Sequence, residues 1–407
     1  MYFSELKKLD KQYIANTYNR SELAAVSGFG AECADFSEIR YIDFSSGIGV
    51  NSLGFTDKGW VDAVKEQLDK LGHISNLYYT QPQVALAKAL CERTGMSRVF
   101  FANSGAEANE GAIKTARKYA SNKYGGGRYE IITLENSFHG RTVTTLAATG
   151  QDAFHKNFGP FTPGFVHANA NDADDLISKV SDKTCAIMIE CIQGEGGVIP
   201  LQKCFIKAIA EVCRERDILL ITDEVQTGVG RTGKFLCGQH FGVKPDIVTL
   251  AKGLGGGLPI GAVLFSEKTK DTLGFGDHAT TFGGNPIVCA GAMRVVEAID
   301  GKFLDEVVEK GAYIEEVLLK MRGVKSVGGK GLMLGIELDE PLSSAETASE
   351  CLKNGLLILT AKHKLRMLPP LIIGKKEIDA GLKILQRVLC EILDRPEETE
   401  NERDGHI

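Results

Sequence analysis

Short apolar runs rich in β-branched residues alternate with longer segments of helical period through the middle of the chain. Ser97–Ala102 (SRVFFA) precedes a helical stretch over Glu107–Tyr119, and Tyr129–Leu134 follows a Gly-rich turn. Cys185–Ile189 runs into an acidic, glycine-containing loop, and the helical pattern Lys203–Arg216 leads into Ile218–Thr222. Asp246–Leu250 and Ala262–Phe265 read as two further strands. Strands that are apolar on both faces predict a mostly parallel sheet with helices on each side. Ligands of such sheets sit at the carboxyl ends of strands. After Pro286 the pattern becomes helical over Ile287–Asp300 and Leu304–Arg322, then gives short strands (Leu332–Leu338, Leu356–Leu359, Lys364–Leu368) and a last helix, Lys376–Leu393. The expected class is α/β: a large domain over 51–286, a smaller α+β domain over 287–394, and residues 1–50 packing with the smaller domain. The tail 395–407 (RPEETENERDGHI) is polar and acidic with no apolar anchor, and disorder is expected there.

Composition narrows the function classes. The 407 residues are 43% hydrophobic and 25% charged, enough apolar material for a large core, which excludes disorder, collagen and coiled coil. With 47 Lys+Arg against 53 Asp+Glu, the net charge of −6 gives no basic face for nucleic acid. The N-terminus (MYFSELKKLDKQYIAN) is charged throughout, and no segment approaches the roughly 18 apolar residues of a spanning helix, so no membrane and a cytoplasmic location are expected. The 10 cysteines contain no CxxC pair and are scattered through apolar segments, which suits reduced, buried thiols. Neither structural zinc nor another metal is expected, and Cys237 with His240 reads as a chance CxxH. Glycine, at 46 residues, is in excess and concentrated between Val225 and Asn285.

Four places carry candidate chemistry. The strand Ile218–Thr222 delivers Asp223 and Glu224 at its carboxyl end, where a carboxylate serves as metal ligand, general base, partner of a protonated ring nitrogen, or simply a loop salt bridge. The following Gly228-Val-Gly-Arg-Thr-Gly233-Lys234 has P-loop spacing but fails as one: Phe235 stands where the magnesium-binding Ser/Thr belongs, and the loop follows the acidic strand directly. Asp246–Leu250 ends near Lys252, which glycines follow; a lysine so presented is suited to a Schiff base or to an exposed turn. Asp223 and Lys252, one strand-helix-strand step apart, would reach the same sheet edge. An amine to hold an aldehyde and a carboxylate to keep a ring nitrogen protonated are the two groups that a carbonyl cofactor needs. Ser104-Gly105-Ala106-Glu107 reads as a capping box and equally as an anion site at a helix N-terminus. Phe138-His139-Gly140-Arg141 places an aromatic and a guanidinium in a loop after a strand, and Arg141 there suits a carboxylate.

With Ser104-Gly105, Phe138–Arg141, Gln193-Gly-Glu195, Asp223–Gln226, Lys252, Thr280–Pro286 and Arg366–Ile372 in chain order, the sequence resembles the class III (ornithine-type) pyridoxal-phosphate aminotransferases from about Tyr13 to Leu393. The resemblance is nearest to the branch that uses N-acetylornithine, and it implies the type I fold and a homodimer. It implies Lys252 as the lysine that takes the aldehyde of pyridoxal 5'-phosphate and then moves the substrate proton. Asp223 would be the partner of the ring nitrogen, Phe138 and Val225 the covers of its faces, and Gln226 the contact to its hydroxyl. Ser104, Gly105 and Ala106 would hold the phosphate, with Thr281 reaching it from the neighbouring subunit. Arg141 would clamp the carboxylate of an acylornithine, and Arg366 that of glutamate, with Glu195 pairing to Arg366 between times. The implied reaction moves the δ-amino group of N-acetylornithine to 2-oxoglutarate, giving N-acetylglutamate 5-semialdehyde and glutamate, a step of arginine biosynthesis. Gly47 stands where ornithine-using relatives carry a tyrosine, leaving room for an N-acyl group or merely serving its turn. Succinylornithine, succinyldiaminopimelate, ornithine and 4-aminobutyrate remain as rival donors, and glutamate 1-semialdehyde aminomutase chemistry as a further alternative. Two departures from the family pattern stand outside the cofactor set: Phe55 in place of a His, and Asp35–Glu38 without the usual Asp-x-x-Gly.

Overall fold

A computed structural model describes residues 3–395. Seven strands form the central sheet: Arg98–Ala102 (β1), Glu130–Leu134 (β2), Phe165–Ala168 (β3), Thr184–Ile189 (β4), Leu219–Asp223 (β5), Ile247–Leu250 (β6) and Gly261–Phe265 (β7). They lie in the order β1-β7-β6-β5-β4-β2-β3. β2 to β6 pair in parallel, and only β7 runs against its neighbours β6 and β1. The mostly parallel sheet expected from the two-faced apolar strands is therefore present, with one reversed strand.

Alternation along the strands feeds two cores. Ile131, Met188, Ile221 and Val263 pack under the helix Gly105–Tyr124, which presents Ala108, Ala112, Ile113, Ala116 and Ala120. Ile132, Ile187, Ile189 and Leu220 face the opposite way, toward Phe205, Ile206, Ile209 and Cys213 of the helix Lys203–Arg216. Small residues on the first helix let it approach the sheet closely, and this brings its N-terminus to the carboxyl end of the strands.

Past β7 the chain forms the helices Pro286–Ala298, Gly301–Leu318, Ser344–Lys353 and Lys375–Leu393 and an antiparallel four-stranded sheet. Within that sheet Val324–Lys330 pairs with Met333–Leu338, a hairpin whose first strand was not expected because its Gly328 and Gly329 break the apolar run. Near the N-terminus, Ala25–Phe29, Glu32–Asp35 and Arg40–Asp43 form a sheet completed in parallel by Leu356–Leu357. Two further expectations need correction. β3 was not foreseen: it is four residues long, half-buried and at the sheet edge, too little for a periodicity signal. No helix separates β5 from β6; the connection is a looped segment with one 3₁₀ turn at Cys237–His240 and left-handed backbone at Val229, Gly230, Gly233 and Gly242. Among the described residues, no helix is long and apolar enough to cross a membrane. The disorder expected of the tail lies outside the described residues from 396 on, while Arg395, its first residue, pairs with Glu346.

Candidate active site

β5 and β6 are neighbours in the sheet, and their carboxyl ends open into one cavity of about 460 Å³. Its walls include Ser104, Gly105, Ala106, Phe138, Arg141, Glu195, Asp223, Val225, Gln226 and Lys252, ten of the residues expected at the site. The cavity therefore gathers side chains from positions 104 to 252 because four parallel strands and β1 end at the same edge.

Asp223 is buried, and its Oδ2 accepts from His139 Nδ1 and Asn109 Nδ2, both at 2.8 Å, while Oδ1 accepts from the Val225 N–H at 3.0 Å. Asn109 Nδ2 also donates to His139 O at 2.7 Å, so the helix and the Phe138–Arg141 loop are tied together behind the carboxylate. A carboxylate fixed by three N–H groups holds one orientation toward the cavity. Lys252 follows β6 with left-handed backbone, φ 42°. Burial pulls its ammonium below the ordinary lysine range, opposed by the charge of Glu195. The neutral amine is thus more accessible than on a surface lysine, which suits a nucleophile and proton carrier.

The phosphate-type site is built at the start of the helix Gly105–Tyr124. Ser104 Oγ accepts from Glu107 N at 3.2 Å, but the expected capping box is only half made. Glu107 Oε2 reaches one residue further back, to Asn103 N at 2.6 Å and Asn103 Nδ2 at 2.8 Å. The N–H groups of Gly105 and Ala106 belong to the first turn, which intrahelical carbonyls cannot satisfy. Gly105 has to be glycine for packing: a Cβ there would stand 2.7 Å from Val225 Cγ1.

Arg366 is buried, and Nη1 donates to Glu195 Oε1 at 2.6 Å and to Gln226 Oε1 at 3.4 Å. Its Nε is buried without a partner. Burial alone would raise Glu195, and the Arg366 guanidinium more than offsets this, so its carboxyl sits below the usual range. Arg141 is exposed at the cavity wall, its guanidinium 4.0 Å from the ring centroid of Phe154, which meets Phe138 edge-on.

Three expected residues are not cavity walls: Arg366, which meets the wall residues Glu195 and Gln226, and Thr281 and Gly47. Thr281 is exposed beside the segment His73–Thr80 and is not itself a cavity wall, although the adjacent Thr280 accepts from Nδ2 of the wall residue Asn103 at 3.1 Å. Gly47 is exposed in a left-handed turn, φ 61°, and a Cβ there would meet nothing nearer than Asn51 Nδ2 at 3.7 Å. Ser46 and Ile48, at φ 42° and 65°, show that this turn accepts side chains, so the turn alone does not demand glycine at 47. Glu224, expected beside Asp223, faces away from the cavity and accepts from Thr227 Oγ1, Cys237 N and Gly238 N. The Cys237–His240 pair is not a joint site: Cys237 is buried, and His240 Nε2 lies 2.9 Å from Thr232 O.

Sequence reasoning missed Asn109 and Glu190. Glu190 lines the cavity, accepts from Phe138 N at 2.9 Å and Gly194 N at 3.2 Å, and is pushed above the usual carboxylate range by burial. An acidic residue directly after a buried strand was the available signal, the same one that singled out Asp223. An asparagine on the small-residue face of a helix gave a weaker one.

Comparison with known proteins extends this picture. The sequence profile of the family described as "Aminotransferase class-III" matches residues 13–389. The acetylornithine aminotransferase of Haemophilus ducreyi is 53% identical over 393 residues, covering 96% of this chain and all of that one. A solved ornithine aminotransferase of Toxoplasma gondii, described with partial occupancy of PLP at its active site, superposes with a TM-score of 0.92 at 31% identity, covering 97% of this chain and 95% of that one. The N-acetylornithine aminotransferase of Stenotrophomonas maltophilia gives a TM-score of 0.81 at 33% identity, over 95% and 99% of the two chains.

Proposed function

The chain belongs to the class-III aminotransferases, and from that premise we propose that it transfers the δ-amino group of N-acetylornithine to 2-oxoglutarate, using pyridoxal 5'-phosphate, in arginine biosynthesis. The observation that carries the reading is one cavity lined by Lys252 and Asp223 with the Glu195–Arg366 pair at its edge. The donor set fits the cofactor: a buried amine, a carboxylate fixed by three N–H donors and a helix N-terminus with unsatisfied N–H groups. When bound, the cofactor supplies an aldehyde for the amino group and a protonated ring that withdraws electrons from the substrate carbon. Asp223 would keep the proton on the ring nitrogen. Lys252 would hold the aldehyde between turnovers, and its Nζ would carry the proton to and from the substrate carbon. Ser104, Gly105 and Ala106 would bind the phosphate, Phe138 and Val225 would flank the ring, and Gln226 would meet its hydroxyl.

Two substrates of different charge share the site. Glu195 occupies Arg366 while the acylornithine carboxylate is held by Arg141, and it would release Arg366 to clamp the α-carboxylate of glutamate or 2-oxoglutarate. An unpaired buried guanidinium is costly, so such an exchange keeps it satisfied in both halves of the cycle. The acyl specificity is supported by the 53% identity to the Haemophilus enzyme.

The reading includes a homodimer in which Thr281 serves the partner's phosphate site, supported by its exposure and by its not lining the cavity of its own chain. It also includes a small domain made of residues 1–50 and 287–394 around the large domain 51–286. The ten free cysteines suit the reducing cytoplasm, where we place the reaction.

Purified protein supplied with 2-oxoglutarate should prefer N-acetylornithine over succinylornithine, succinyldiaminopimelate, ornithine and 4-aminobutyrate. A clear preference for ornithine or 4-aminobutyrate, or turnover without added 2-oxoglutarate, would overturn the reading. Lys252→Ala should lose cofactor colour that borohydride bleaches in the wild type, and about a thousandfold or more in kcat.

A further inference from the structure

The glycine-rich segment after β5, which has P-loop spacing but no place in a P-loop, carries Arg231. This side chain is 2% exposed and is not one of the cavity walls. Nη1 donates to Leu332 O at 3.1 Å and to Pro369 O, and Nη2 reaches Ser46 Oγ at 3.4 Å. Ser46 Oγ in turn donates to Leu368 O. One guanidinium fork therefore ties the loop that follows Asp223 to three distant segments: the Ser46–Gly49 turn, the hairpin turn at Leu332, and the stretch just beyond Arg366.

The Ser46–Gly49 turn needs such support. All four residues are left-handed, with φ from 42° to 77°, a region that is unfavourable for the non-glycine Ser46 and Ile48. Strain of this kind persists only where the surroundings over-determine it. Asp43 Oδ1 holds the turn from one side, accepting from Ser45 N at 2.7 Å and Ser46 N at 2.8 Å, and Arg231 holds it from the other. The turn ends at Val50, a wall of the cavity, and carries Gly47. Leu368 and Pro369, the other carbonyl partners, follow Arg366 by two and three residues, and Leu368 N donates to Phe44 O at 2.8 Å.

We propose that Arg231 is a positioning residue for substrate: its buried guanidinium locks the strained Ser46–Gly49 turn and the Leu368–Pro369 stretch behind Arg366 onto the loop beyond Asp223, and so sets the substrate end of the cavity. The assignment rests on the aminotransferase reading of that cavity. It uses the planar fork and not the charge alone, because three acceptors on three segments need several donors in fixed directions.

Arg231→Lys keeps the charge near Asp43 and removes the fork. In the full-length holoenzyme, KM for amino donor and for 2-oxoglutarate should each rise about tenfold or more, with kcat changed less than about threefold and the bound-cofactor absorbance unaltered. Unchanged KM values in a folded variant, or a loss confined to kcat and cofactor binding, would overturn the proposal. Should Arg231→Lys fail to fold, Ser46→Ala decides: it removes one link of the same lock and should raise both KM values by a smaller factor, and no rise would refute the assignment. The amino donor is the one that the wild type prefers, so a failure of the acetylornithine reading shows in the wild-type assay alone and leaves the KM comparison valid.

Discussion

At the scale of single residues, departures from the family pattern have physical explanations. The turn at Asp35–Glu38 lacks its glycine, and Glu38 occupies the left-handed position, φ 62°. Asp35 Oδ1 accepts from Ser37 N at 2.8 Å and Ile39 N at 3.1 Å, so the aspartate holds the turn that glycine would make freely. Glu38→Gly should relieve the backbone and raise stability by about 0.5 kcal/mol after the extra freedom of the unfolded chain is subtracted. Differential scanning calorimetry should show a thermal midpoint about a degree higher; an unchanged or lower midpoint would mean that the turn carries no such strain. Phe55, the other departure, lies over Gly28, where a Cβ would stand 2.5 Å from its ring, so the aromatic ring and the glycine fit only together.

At the scale of elements, the edge strand β3 couples stability to pH. His167 on that strand lies 2.8 Å, Nδ1 to Oγ1, from Thr133 on β2. Burial, with smaller contributions from the nearby His155 and His139, pushes His167 down to about 4. The unfolded chain would take up this proton near pH 6.5, whereas the folded chain resists it down to about 4. Between those values the unfolded state binds more protons, so the stability associated with neutral His167 is present above about pH 6.5 and is lost as the pH falls through the window. His167→Gln should flatten the decline of the thermal midpoint from pH 6.5 to 4.5, by on the order of 1–2 kcal/mol once solvent screening is allowed for. Identical declines in the two proteins would sink the assignment. β3 was also the strand that escaped sequence analysis, and both facts follow from its position: an edge strand is half-covered, so its alternation is weak and its histidine sits between solvent and core.

At the scale of the whole molecule, apolar surface points to assembly. Leu77, Tyr79 and Phe282 are 87%, 100% and 63% exposed, next to or within the two segments that meet at Thr281. Large apolar side chains exposed in this way are the surface that the proposed homodimer would bury. Sedimentation velocity at micromolar concentration should give about twice the chain mass, and Tyr79→Asp should weaken both the dimer and cofactor retention; a monomeric, fully active wild type would rule the arrangement out. The chain sequence by itself determined the α/β plan of a sheet with helices on both faces, because strands apolar on both faces have no other way to be buried. It also determined Asp223 and Lys252 as candidates, since each stands at or just beyond the carboxyl end of a buried strand. Tertiary structure alone decided what those groups touch: Asn109 and His139 behind Asp223, Glu195 against Arg366, and Arg231 across three segments. Those contacts join residues tens to hundreds of positions apart, and their partners are backbone carbonyls and single polar atoms that leave no periodic trace along the chain. The looped link between β5 and β6 belongs with them, since glycine permits that path while contacts with Ile299, Leu304 and Val308 and the Glu224 carboxylate, which accepts from Cys237 N and Gly238 N, select it.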